Sequence, residues 1–324
     1  MTEIRLGYAC INTALRKRKG LPEIYCSRLV RLKSLFALSG PEASAYCQNQ
    51  ALKNIADLLI ILDWNELHNI RFFRITSELF PHVGNAHAIK QFPDEPYFKG
   101  DIDFAKLSLK MVGDYALKHD HRLTFHSNPY VQLGTPNKIV QNNSQFDINT
   151  HYHIFKLMGI TPGPYNCLIV HGGGVFDDIQ ETILRIINTL KSMDPLVRSM
   201  LVFENDEWHY NPYDLLPICE KFNLGFCFDI FHNRVSRNPI HVTRKFLKRV
   251  IATWKDIPIK MHISQQAPGE RRGAHSDIVT RLPSWLATEL HVKRLDLMLE
   301  CKLKEQSVIL LQPLLNKPPF KIVK

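Results

Sequence analysis

Histidines and carboxylates recur at one kind of place in this chain, directly after a short apolar run. LTF is followed by His126, CLIV by His171, MLVF by Glu204 and GFCF by Asp229. Further on, IKMHI carries Lys260 and His262, and LMLECK carries Glu300 and Lys302. Side chains alternate faces along a strand, so Lys260 and His262 point the same way, as do Glu300 and Lys302. Three histidines and three acids are therefore expected to converge, and burying them without partners would be costly. Divalent metal is the simplest compensation. His232, three residues after Asp229 in DIFHN, and His275, in ERRGAH, extend the set. Eight nitrogen- and oxygen-bearing ligands exceed what one ion takes, which predicts two or three ions. Imidazole mixed with carboxylate suits Mn²⁺, Zn²⁺ or Fe²⁺, and no thiolate joins the group. Glu204, central in the array, is the carboxylate expected to bridge two ions. Clustered metals lower the pKa of bound water toward about 7, clamp non-bridging phosphate oxygens and neutralise a leaving alkoxide. Phosphodiester hydrolysis then needs no nucleophilic side chain. The chain offers no convincing Ser–His–Asp set, no Walker A loop and no dinucleotide fingerprint, so no nucleotide cofactor is expected. HGGGV, from His171, is read as a tight turn whose glycines let backbone approach the site.

The apolar runs must position these groups. Eight recur, at 4–9, 72–75, 123–125, 167–170, 200–203, 225–228, 257–263 and 295–301. Amphipathic stretches such as 50–62 and 178–190 carry apolar residues at helical spacing between them. Strands alternating with helices imply parallel βαβ units, and eight of them favour a closed (β/α)8 TIM barrel over an open sheet. Active sites of that α/β architecture lie at the C-terminal ends of the strands, where the polar residues stand. The expected organisation is one barrel over 1–305 and an extended tail over 306–324 packed on it. The long connection 21–50 contains SRLVRLKSLFALS, read as a helix covering the barrel, while 91–103 reads as a loop.

The 324 residues carry a net charge of +10, which suggests a polyanionic partner such as nucleic acid. RKRKG at 16–20, with Arg271 and Arg272, could contact phosphate. No apolar run approaches the roughly 18–20 residues that span a bilayer, and MTEIRLGYAC runs straight into a strand pattern rather than a signal peptide. The seven cysteines form no CxxC; Cys167, Cys227 and Cys301 lie inside apolar runs, as reduced core residues of an intracellular protein would.

The segments RLGYACIN, FFRI, LTFHSNPYV, VHGGG, VFENDE, FDIFHN, KMHIS, RRGAHS and LMLECKLKEQ follow one another over residues 4–306 in an order that resembles the UV damage endonuclease family. The resemblance implies an α/β barrel similar to endonuclease IV, with a manganese cluster that Zn²⁺, Mg²⁺ or Co²⁺ could replace. It implies a monomer that cleaves damaged double-stranded DNA immediately 5′ of cyclobutane dimers and (6–4) photoproducts. Carried across by motif, His126, His171 and Glu204 would form one metal site. Glu204, Asp229, His262 and Glu300 would form a second, and His232 and His275 would contribute to a third. Tyr8 and Asn12 would sit near the scissile phosphate. Lys260 would orient phosphate or be chemically modified, and Lys302 would contact DNA.

Two departures from the family pattern stand out. After its first metal histidine the family carries Gln-aromatic; here HSNPYV places Pro129 beside Tyr130, with Asn128 before them. That pair is the expected wedge into the duplex, where stacking an aromatic on a base contributes about 1–3 kcal/mol. Proline can wedge but cannot donate a hydrogen bond, so lesion preference is expected to differ. In FPHVGNAH, Asn85 stands where the family has Ser-His, with His82 and His87 nearby as substitutes. The expected activity is thus incision 5′ of photoproducts. An abasic-site endonuclease is the alternative that Pro129 keeps open. A metal-dependent sugar isomerase shares the barrel and the mixed ligation, but the net charge and the basic loop before His275 point away from it. A lesion-binding protein without catalysis would have little reason to keep eight such polar groups.

Overall fold

A computed structural model describes residues 1–323. Eight parallel strands form the core: β1 (Thr2–Ala9), β2 (Phe72–Arg74), β3 (Arg122–His126), β4 (Leu168–His171), β5 (Leu201–Glu204), β6 (Gly225–Asp229), β7 (Ile259–Ile263) and β8 (Arg294–Leu299). Each pairs with its neighbour in sequence, and β1 pairs with both β8 and β2, which closes the barrel. Every expected apolar run supplies one strand, with ends displaced by a few residues, and Asp178, at the start of one expected helix, caps Ile179–Ser192. No helix is long and apolar enough to cross a membrane among the described residues.

Closure divides the barrel interior into layers. At the bottom, Arg5 on β1 and Arg122 on β3 both grip Asp296 on β8, at 2.8 and 2.9 Å, and all three are fully buried. Arg122 also donates to the carbonyls of Pro258, Pro164 and Tyr165 at 2.8–3.1 Å, so its fork is satisfied without water. Above them sits the ring of Phe72, 5.6 Å from the Arg122 guanidinium and 5.9 Å from Lys260 Nζ. Gly7 leaves room for that ring, because a Cβ there would lie 2.6 Å from Phe72 Cδ1. At the top, strand register sets the polar residues level: His171 is paired with Glu204, and Asp229 with His262.

Two expectations about the barrel's cover fail. The stretch 27–39 is not a covering helix; only one turn, Leu32–Leu35, forms there. Arg28 holds the preceding segment irregular by an ion pair to Asp57 at 2.6 Å and a hydrogen bond to the Tyr25 carbonyl. The covering helix is Gly40–Leu67, which starts where the Glu42 side chain accepts from the Ser39 N–H at 3.0 Å and where Pro41 suits the first turn. Residues beyond Glu305 are not an extended tail. They form the helix Lys304–Leu315, followed by a ninth strand, β9 (Phe320–Ile322), parallel to β1. The helix is fixed at its start by Glu305, whose carboxylate accepts from the Thr13 and Ala14 N–H groups at 2.8 Å each.

Removing Asp296 would leave two guanidinium groups buried without their anion. Asp296→Ala is expected to lower stability by about 3–5 kcal/mol, read as a shift in the urea midpoint; a loss below about 1 kcal/mol would mean that the carbonyl acceptors suffice on their own.

Candidate metal centre

Glu204 ends β5 with its carboxylate fully buried, and imidazoles surround it. Oε2 lies 3.2 Å from His126 Nε2 at the end of β3 and 4.0 Å from His171 Nε2 at the end of β4. Oε1 lies 2.9 Å from His262 Nδ1 on β7 and 3.4 Å from His232 Nδ1. Asp229, the last residue of β6, turns Oδ2 to within 3.9 Å of His262 Nδ1 and 3.8 Å of His232 Nδ1. Its Oδ1 caps the following short helix by accepting from the His232 N–H at 2.6 Å, which fixes the carboxylate's direction. Asn205 straps β5 to β6 by exchanging hydrogen bonds of 3.0 Å with the Asp229 backbone.

Two groups result, His126–His171–Glu204 and Glu204–Asp229–His262. In each, one ligand atom per residue lies within 4.8 Å of the others, and Glu204 belongs to both. Asp229 Oδ2 and His171 Nδ1 are buried with no hydrogen-bond partner. Buried polar atoms ordinarily find one, and a divalent cation would supply what Asp229 lacks. All donors are imidazole nitrogen or carboxylate oxygen, so the residues present fit such an ion.

Electrostatics point the same way. Burial and the facing carboxylates of Glu300 and Asp229 push the Glu204 carboxyl well above its ordinary range. Burial also raises Asp229. Burial alone would lower His232, but the charges of Asp229, Glu204 and Glu300 outweigh it and raise the imidazole to about 10.

The remaining expected residues divide. Glu300 Oε1 reaches His262 Nδ1 at 3.2 Å and is also ion-paired with Arg74. Lys260 Nζ sits 2.5 Å from His262 Nε2, fully buried, so the lysine braces that ring. His275 lies at the rim, its Nδ1 on the Glu300 carbonyl and its ring 6.3 Å from that of His232. Asn128 and Pro129 line a cleft of about 590 Å³ above the centre, and Tyr130 stands beside it, 57% exposed. Lys302 is exposed, 3.9 Å from Asp277. Arg272 is tied to the Val235 and Ser236 carbonyls, whereas Arg271 has no side-chain partner among the described residues.

Tyr8 and Asn12 are not brought to the centre. Arg5 and Gly7 face the barrel interior, so alternation turns Tyr8 outward. Its hydroxyl donates to Asn65 Oδ1 on the covering helix at 2.6 Å and accepts from Asn12 Nδ2 at 3.0 Å, with all three residues fully buried. Asn12 also caps a short helix through Leu15 N–H. Asn85 is likewise a helix cap, accepting from the N–H groups of His87 and Ala88, and His82 Nε2 is held by the Val30 carbonyl at 2.6 Å.

Sequence reasoning missed two neighbours. Arg74, on the same face of β2 as Phe72, lines the cleft and pairs with Glu300; the strand's parity was the available signal. Gln132 accepts from the Gly174 N–H and donates to the Pro129 carbonyl at 3.0 Å, which links the loops after β3 and β4. Gly173 permits this, since its φ is +83° and a Cβ would lie 2.4 Å from Gln132 Oε1. No local signal pointed to that pairing.

A closed parallel barrel whose C-terminal mouth gathers imidazoles and carboxylates defines an α/β-barrel protein with a candidate metal centre. The chain matches the family model described as UV-endonuclease UvdE over residues 4–320 and belongs to that family. It is 42% identical over 310 residues to a protein of Acanthamoeba polyphaga mimivirus described as a candidate UV-damage endonuclease, covering 94% of this chain and 89% of that one. It is 32% identical over 317 residues to the UV-damage endonuclease of Schizosaccharomyces pombe, covering 94% of this chain but spanning only 49% of that longer protein. The crystal structure of SacUVDE superposes with a TM-score of 0.78 at 26% identity, covering 96% of this chain and 99% of that one.

A divalent cation bound here would compete with the proton on His232, whose imidazole is raised to about 10, and burial of the Glu204 carboxyl acts in the same sense. Affinity for a divalent cation is therefore expected to climb with pH toward about 10. Titration calorimetry in buffers of different protonation enthalpy should register release of about one to two protons per molecule. Uptake with no proton release would contradict the assignment of these groups.

Proposed function

We propose that this chain is a metal-dependent endonuclease that cuts the DNA backbone immediately 5′ of UV photoproducts. What carries the reading is the pair of ligand groups joined at Glu204, at the mouth of a barrel that belongs to the UV-endonuclease family. The net charge of +10 suits a polyanionic substrate.

In this reading His126, His171 and Glu204 hold one ion, and Glu204, Asp229, His262 and Glu300 hold a second. His232 and His275 stand ready for a third. Mn²⁺ is the proposed metal, with Zn²⁺, Mg²⁺ or Co²⁺ as substitutes. When bound, the ions supply an activated water and charge neutralisation at the phosphate. The chain's own side chains do the rest. Lys260 fixes the His262 ring so that its other nitrogen faces Glu204. Arg271 and Lys302 attract phosphate at the rim. Asn128, Pro129 and Tyr130 probe the duplex beside the centre, with the exposed Tyr130 ring available for stacking. Tyr8 and Asn12 act on the reaction only by bracing β1 against the covering helix.

Pro129 supports a second reading, an abasic-site endonuclease with little activity on photoproducts. Incision of end-labelled duplexes with Mn²⁺ separates the two, comparing one thymine dimer, one abasic site and no lesion. Cutting 5′ of the dimer supports the first reading, and cutting only at the abasic site supports the second. No cutting at all would turn attention to sugar isomerisation or to binding alone. Glu204→Ala is expected to abolish incision in either case while leaving duplex affinity within a few-fold, because affinity rests mainly on phosphate contacts; loss of binding along with cleavage would count against Glu204 as a purely catalytic-site group. Tyr130→Ala should reduce preference for damaged over intact duplex by roughly fivefold to a hundredfold, the equivalent of about 1–3 kcal/mol of lost stacking, measured as the ratio of dissociation constants.

A further inference from the structure

Tyr130 is 57% exposed, yet its hydroxyl is tied down. The phenol donates to Asp147 Oδ1 at 3.1 Å and accepts from Asn128 Nδ2 at 2.9 Å. Asn128 Nδ2 also donates to that carboxylate oxygen at 3.1 Å, and Ser77 Oγ donates to Asn128 Oδ1 at 2.9 Å. Asp147 itself is 8% exposed, on the helix Lys138–Met158. One turn further along that helix, His151 Nδ1 hydrogen-bonds the Asp147 main-chain carbonyl at 2.8 Å and stands 3.3 Å from Asp147 Oδ2, an ion-pair distance that the spacing of four residues makes natural. Burial would favour the neutral forms, but the mutual attraction of the pair lowers the Asp147 carboxyl and raises the His151 imidazole. The His151 ring packs edge-on against Phe125, centroids 4.9 Å apart. Phe125 directly precedes His126 on β3.

These contacts form one continuous line from the ring that would meet DNA to the strand that ends in a candidate metal-centre histidine. We propose that Asp147, oriented by His151, is a specificity-determining positioning residue that holds the Tyr130 ring ready for the duplex. The inference rests on the reading of Tyr130 as a duplex probe and names what makes that probe work. A free tyrosine on a loop must surrender its side-chain freedom each time it enters a base stack, which weakens the preference for the lesion. A tyrosine already fixed by its hydroxyl gives up less on binding, and its ring faces remain open. The tether acts through the hydroxyl alone, so phenylalanine at 130 would keep the stacking surface and lose the positioning.

The test compares dissociation constants for a thymine-dimer duplex and an intact duplex, in a Glu204→Ala background that does not cut. Tyr130→Phe and Asp147→Leu are each expected to reduce the damaged-to-intact preference about three- to tenfold, the range of one net hydrogen bond. The double variant should lose no more than either alone, because both remove the same contact. Asp147→Asn keeps an oxygen acceptor and should restore most of the preference. In the cutting-competent protein, Asp147→Leu should raise KM for the dimer duplex and leave kcat within about twofold of its starting value. Wild-type preference in Tyr130→Phe, alongside a loss in Tyr130→Ala, overturns the tether while the probe reading stands. Wild-type preference in Tyr130→Ala overturns both. Additive losses in the double variant also overturn the tether. Should Asp147→Leu fail to fold, the exposed Tyr130→Phe change decides alone.

Discussion

A carboxylate in a place that water does not reach must be neutralised by something, and the upper face of this barrel is organised around how Glu204 is neutralised. The side chain is fully buried, with two other acids close enough to raise its pKa further. Four imidazoles from four different segments stand within 4.0 Å of its two oxygens. Such a group is unstable as an isolated charge and becomes favourable only with cations on both sides. The fold supplies some of that compensation itself, through Arg74 on Glu300 and the imidazole of His232, and the rest is what a divalent cation would add. The same desolvation that makes the site costly makes any ion held there a strong electrostatic actor.

The barrel handles its two polar layers in opposite ways. At the bottom, Asp296 is outnumbered by Arg5 and Arg122, whose remaining donors end on backbone carbonyls, so that layer is closed and complete. At the top, Asp229 Oδ2 and His171 Nδ1 lack partners altogether. Both layers sit inside the same cylinder, separated by the Phe72 ring. Completeness marks the layer that holds the fold together, and incompleteness marks the layer where a cation would fit.

How much of this was legible in the sequence follows from how locally each feature is encoded. A strand that runs apolar and then stops at His or Asp writes its end in consecutive letters, and His126, His171, Glu204 and Asp229 all lie where that pattern places them. Lys260 and His262 could be set on one face because alternation needs only the strand itself. Motif order points Tyr8 to the centre, but strand parity overrides it, since Arg5 and Gly7 occupy the inner face. Arg74 shares the inner face of β2 with Phe72, but a cation carries none of the signature of a metal site. SRLVRLKSLFALS has helical periodicity, yet the covering helix takes its start signal only from the last residue of that stretch, Ser39, together with Pro41 and Glu42. The contact of Gln132 with Gly174 and the meeting of Tyr130 with Asp147 depend on which loops the closed barrel sets side by side, and nothing in either segment announces its partner.

The last strand gives the molecule a further property. β2 is short and pairs only with Gly7–Ala9 of β1, and β9 takes up the lower part of that same edge, with Phe320 opposite Thr2 and Ile322 opposite Ile4. The Val323 N–H closes the ladder on the Ile4 carbonyl at 2.9 Å. Without this strand the first residues of β1 would present a row of free N–H and C=O groups, which is a template for pairing with another chain. The closing strand is therefore an edge guard, and trimming it is a route to sticky, self-associating barrels rather than to a smaller one.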